Sequence, residues 1–124
     1  MDITLTLNNR DFAPRVSTYA VRKLVEVVRS ITTMDGVEHS VQRIRDEVVF
    51  SLIPYSDATC TEDYNALKAL QFTSRYTDPN TGNVSVKTLR VTSNLESVFG
   101  LKSVDGNRYY KGGEITLRAV EPNT

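Results

Sequence analysis

Apolar and polar residues alternate along most of this chain. Ile3, Leu5 and Leu7 alternate with Thr4 and Thr6, the period of a strand that buries one face. From Glu38 to Ile53 the alternation is longer: Ile44, Val48, Phe50 and Leu52 share one parity, and Arg43, Arg45, Glu47 and Ser51 share the other. Asp46 and Val49 each break that pattern. Upstream, Val16, Tyr19, Ala20, Leu24, Val27, Val28 and Ile31 also fit a helical stripe, and neither Gly nor Pro interrupts the run from Arg15 to Asp35. The weight of Val and Thr favours a strand there, because β-branched side chains lose χ1 freedom in a helix and pack well on a pleat. Asp35-Gly36 suits a two-residue turn, since Gly36 takes positive φ without a steric cost. The stretch over about 18–53 is therefore expected to fold back as one long antiparallel hairpin.

After Pro54 the period changes. Thr59 and Glu62 stand at capping-box spacing ahead of Tyr64, Leu67 and Leu70, which predicts a short helix over about 60–70 with an apolar face docked on a sheet. Phe72 to Thr77 is again strand-like, Asp78-Pro79-Asn80-Thr81-Gly82 is a turn, and the stretches around Val84 to Val91 and Ile115 to Ala119 alternate. Leu95 to Val104 is expected as a further strand with a bulge at Gly100. Asn8-Asn9 and Asp105-Gly106 read as turns, and Pro14 as a residue at an edge or a strand start. Seven or eight strands at short spacing with one inserted helix predict a mainly β (α+β) fold, an antiparallel sandwich or barrel-like sheet forming a single domain over 1–124.

Composition narrows the function classes. Fifteen basic and fifteen acidic residues cancel. That balance argues against nucleic acid as the main partner, because phosphate binding draws on clustered Lys and Arg. It also leaves little net repulsion against self-association. Cys60 is the one cysteine, which excludes an internal disulfide and a Cys-based metal site. No apolar run reaches the ~18 residues of a membrane helix, so membrane insertion is not expected. The opening MDITLTLNNR has neither a basic leader nor an apolar core, so no secretory signal is expected.

The candidate chemistry is sparse. His39 is the one histidine, and nothing around Cys60 or any serine supplies the partners of a nucleophile system. Asp46 and Glu47 are adjacent on a strand and so point to opposite faces, which prevents them from converging as a catalytic dyad. Glu62 and Asp63 suit the first turn of a helix. Gly112-Gly113 lacks the spacing of a phosphate-binding loop, and Arg22, Lys23 and Arg29 read as a solvated strand face with Glu26 among them. These residues predict no enzyme, no cofactor and no metal site.

Five segments in order, ITLTLNN, MDGVEHSVQRIRDEVVFSLIP, TEDYNALKAL, YTDPNTG and DGNRYYKGGEITLRAVE, together resemble a family of small structural proteins from tailed-phage and prophage genomes. The resemblance covers nearly the whole chain. Its motifs are turn chemistry between strands, and the chain departs from the pattern in the extra glycine of Tyr109-Tyr110-Lys111-Gly112-Gly113 and in its valine-rich first arm. It implies a virion protein of a siphophage-like tail or tail tip, made in the cytoplasm of a bacterial host, with itself and other phage tail proteins as partners in a ring or stack. It carries no catalytic residues. On this reading the long hairpin makes intersubunit contacts by adding strands to a neighbour's sheet edge. Tyr19, Val25, Val27, Met34, Val37, Tyr109 and Tyr110 are the candidate interface residues. An alternative is a small adaptor or a module that binds host-surface carbohydrate through Tyr109 and Tyr110.

Overall fold

The computed structural model describes residues 3–34, 36–53, 58–100, 104 and 106–121, and within these the side chains of 27–32, 38–41 and 58 are not described. The chain forms strands β1 (Leu5–Leu7), β2 (Arg10–Asp11), β3 (Val16–Thr32) and β4 (Glu38–Leu52), then helix α1 (Ala58–Leu67). Strands β5 (Phe72–Thr77), β6 (Val84–Val91) and β7 (Glu114–Ala119) follow. All seven lie in one antiparallel sheet in the order β2-β1-β5-β6-β7-β4-β3. The expected mainly β fold with a long hairpin and one short helix is what forms. It is neither a two-sheet sandwich nor a closed barrel, because β2 and β3 remain as separate edges.

Local chemistry explains the turns. Asn8 and Asn9 both take positive φ, at 52° and 64°, so β1 and β2 are joined by the two-residue loop whose twist matches its strands. The β5–β6 turn is organised by Asp78: its side chain accepts from the Asn80 N–H at 3.0 Å, and its carbonyl accepts from the Gly82 N–H at 2.7 Å. Gly82 completes that turn at φ 75°. The tip of the long hairpin is wider than a two-residue turn: Thr33 N–H donates to Val37 O and Gly36 N–H to Thr33 O, both at 2.9 Å, with Gly36 at φ 83°. That is the longer hairpin loop in which a positive-φ glycine follows a tight turn. Asp35 lies outside the described residues.

The first arm is a strand throughout. β3 pairs with β4 from Val16↔Leu52 to Thr32↔Glu38, with irregularities between Val16 and Thr18 and between Val27 and Arg29. Bulges of this kind bend and twist a strand pair.

Side-chain parity places the core on one face of the sheet. Leu5, Leu7, Val48, Phe50, Tyr76, Leu89, Ile115 and Leu117 are all fully buried there. The cover is α1 and the segment before β7 rather than a second sheet. Cys60, Asp63 and Leu67, at three- and four-residue spacing, are the buried stripe of α1, and Tyr64 meets Phe99 edge-on at 5.6 Å.

Two expectations need correction here. The helix ends at Leu67, so Leu70 lies beyond it and is 83% exposed; Thr59 sits inside the helix rather than at its cap. Leu95 to Gly100, the described part of the strand expected over Leu95 to Val104, is not a strand: Leu95–Ser97 is a 3-10 turn whose Asn94 side chain accepts from the Glu96 N–H. Val98 and Phe99 then plug the core, and Phe99 makes a single bridge to Tyr110. Apolar residues serve a lid as well as a strand, which is why alternation misleads in this stretch. Positions 101–103 and 105 lie outside the described residues.

Candidate functional site

The feature that sets this chain apart is how far the hairpin outruns the sheet. β4 pairs with β7 only from Glu47 to Ser51, whereas β3 and β4 continue together to Thr32 and Glu38. From Lys23 to Thr32 at a strand rise of roughly 3.3 Å per residue, the two-stranded ribbon is about 30 Å long. Two-stranded ribbons are marginal in water without something to pack on. Among its described side chains, Val25 is 53% exposed, Ile44 40%, Val37 48% and Met34 fully so. Val25 and Ile44 are directly opposite one another, so they form an apolar pair on one face of the ribbon.

A buried ionic network fixes the root of this ribbon. Asp46 is fully buried on the core-facing parity of β4. It accepts from Lys23 Nζ at 2.6 Å, from Lys87 Nζ at 3.0 Å and from the Tyr76 hydroxyl. Lys23 also donates to Asp78 Oδ2 at 2.9 Å, and the Tyr19 hydroxyl donates to Thr77 O. The network therefore ties both arms of the hairpin to β5, β6 and the turn between them. Burial alone would lower the pKa of Lys23, but hydrogen bonds to Asp46 and Asp78 outweigh it and raise the ammonium above its ordinary value. The Lys23 hydrogen bond holds Asp78 below the usual carboxylate range, helped by the Asn80 N–H and opposed by burial. Burial, with the nearby carboxylates, pushes both Tyr19 and Tyr76 above the ordinary phenol range. These shifts fit a fixed structural clamp: Asp78 stays ionised and both phenols stay protonated across the neutral range.

A second clamp docks the helix. Asp63 is fully buried, and Arg15 grips it bidentately, Nε at 2.8 Å and an Nη at 2.9 Å, while Arg10 adds a further hydrogen bond. Arg10 also reaches Glu62 at 2.8 Å and the Thr59 carbonyl at 3.2 Å. The planar guanidinium fork suits this arrangement better than a lysine would. At the other side of α1, Arg108 stacks on the Tyr64 ring at 3.9 Å from its centroid and donates to Gly100 O at 2.8 Å.

The candidate interface residues fall into three groups. Val25, Met34 and Val37 lie exposed on the ribbon, and Tyr109 is 44% exposed. Tyr19 turns inward to Thr77, and Tyr110 is 3% exposed, accepting from the Leu52 N–H and donating to Gly113 O. Tyr109 and Tyr110 therefore do not form one exposed stacking platform. The side chains of Val27 and His39 lie outside the described ones.

Arg22 and Lys23 are split between faces: Arg22 pairs outward with Glu47 at 2.6 Å and Lys23 points inward, while the Arg29 side chain is not described. Among the described residues, no three His, Cys, Asp or Glu side chains gather as metal ligands, and no helix is long and apolar enough to cross a membrane. Sequence reasoning missed the Asp46 clamp as a site, although Asp46 standing among the apolar positions of β4 was a visible signal of it. Compared with known proteins, the chain matches no family model and no curated sequence.

Proposed function

We propose that this chain is a self-assembling structural subunit, a tail or tail-tip component of a tailed-phage or prophage particle, and that its β3–β4 ribbon is the element that engages neighbouring copies. The observation that carries the reading is the unequal pair of sheet edges. β2 is two residues long and so a blunt edge, whereas β3 presents seventeen residues with no strand beside its outer side among the described residues. Long open edges are templates for strand addition from another chain. The ribbon adds exposed apolar side chains, and the Asp46 clamp holds its root in a fixed direction, which a repeating assembly needs. The neutral balance of charges removes net repulsion between copies.

The test is light scattering across a concentration series, on the full chain and on a variant in which residues 25–44 are replaced by Asn-Gly. This cut falls beyond the Lys23–Asp46 clamp, so the shortened chain keeps the core. The full chain is expected to grow into discrete or extended assemblies and the shortened one to remain a folded monomer. Equal assembly by both would overturn the role given to the ribbon.

A further inference from the structure

The outer face of the sheet, opposite the core, carries a second feature that assembly through the ribbon does not use. A cleft of about 530 Å³ opens at the foot of the ribbon, and its lining includes Glu26, Arg45, Gln71, Arg90 and Arg118. Arg90 of β6 and Arg118 of β7 are direct cross-strand partners. Like charges placed directly opposite one another destabilise a sheet. Neither guanidinium has an acidic partner within ion-pair distance among the described residues. Glu26 in the cleft lining and Glu47 on the neighbouring strand are each paired with another arginine. Glu26 lies 3.4 Å from Arg45, and Glu47, across the strand pair from Arg118, is held by Arg22 at 2.6 Å. Arg45 is itself anchored by donating to the carbonyls of Ala119 and Val120. Arg90 and Arg118 thus face one cleft without an ion pair of their own among the described residues, although Glu26 also lines it.

We infer that this cleft binds a multiply charged oxyanion of the phosphoryl class, with Arg90 and Arg118 as its principal ligands and Arg45 and Gln71 at its margin. A monocarboxylate would neutralise only one of the two guanidiniums. A diphosphate-sized group carries at least two charges, and its tetrahedral oxygens accept forked N–H pairs arriving from two adjacent strands. The cleft is also larger than a single phosphate requires and lies within the usual range for small-ligand sites. The bound anion would relieve the cross-strand repulsion, so binding and sheet stability are linked.

The experiment is calorimetric titration with inorganic pyrophosphate at low ionic strength, accompanied by thermal melts of the full chain, Arg90→Thr and Arg118→Gln. Saturable binding is expected for the full chain, with a melting temperature that rises as pyrophosphate is added. Each variant should bind at least tenfold more weakly and show little thermal response. Without the anion, Arg90→Thr should melt no lower than the full chain, since it removes repulsion and breaks no ion pair among the described residues. Absence of saturable binding, or equal binding by the variants, would overturn the site. Equal affinity for citrate, a tricarboxylate, would overturn the phosphoryl assignment.

Discussion

Replacing Asp46 by Ala is the perturbation that probes the root of the ribbon most sharply. The substitution removes the one acceptor shared by Lys23, Lys87 and Tyr76. The buried Tyr76 hydroxyl would lose its acceptor, at a cost of about 1–3 kcal/mol. Breaking a buried ion pair from one side costs roughly 3–5 kcal/mol in full. Two features reduce that figure: the Lys23 and Lys87 side chains are 36% and 30% exposed, and so can turn toward water, and Lys23 retains Asp78. About 3 kcal/mol is therefore expected. For a chain of 124 residues, an unfolding entropy of about 2.1 cal/mol/K per residue converts this to a fall in Tm of about 12 °C. Asp46→Asn keeps an acceptor for Tyr76 and should cost about half as much. Urea unfolding read by circular dichroism, with a calorimetric melt, measures both. A change below about 1 kcal/mol for Asp46→Ala, at an unchanged dependence on urea, would refute the view that this carboxylate organises the base of the hairpin.

The helix boundary gives a paired prediction: Leu67→Ala should cost about 2–5 kcal/mol, since Leu67 is 1% exposed, while Leu70→Ala should fall within about 0.5 kcal/mol of the parent in the same urea assay. Stability should also decline at both pH extremes. Asp78 has a depressed pKa in the fold, so its contribution is present above its ordinary value of 3.8 and is lost as pH falls through the lower folded value. Asp78→Asn should flatten the acid limb of a Tm-against-pH curve. Lys23, Tyr19 and Tyr76 have raised values, so their contribution is complete below about pH 10 and is lost as pH rises through the folded values. An alkaline limb that does not change in Lys23→Met would count against that assignment.

Much of the fold was legible because one buried face forces period-2 alternation. β1, β5, β7 and most of β4 follow from it, and the β-branched weight of residues 16–31 decided correctly between strand and helix for β3. Asn8-Asn9 and the Asp78 to Gly82 turn were readable from residues that tolerate positive φ or cap a turn. Closure was not readable, because the burial pattern of a strand is the same whether its face is covered by a second sheet or by a helix and a loop. Leu95 to Phe99 was misread for a related reason: apolar content reports burial, not backbone geometry. The ionic features depend on which strands become neighbours. Lys23, Asp46, Tyr76 and Lys87 sit on four strands, and their convergence follows from strand order and curvature. Likewise, Arg90 and Arg118 look like ordinary surface residues until the β6–β7 register sets them face to face.

The central claim, that copies meet along the outer edge of β3, is tested most directly by amide hydrogen exchange on the full chain, dilute and concentrated. The account predicts that alternate amides over residues 25–32 slow as the chain assembles, while those of Arg10 and Asp11 on the opposite edge do not change. Assembly that leaves β3 exchange unaltered, or a chain that stays monomeric at every concentration, would contradict it.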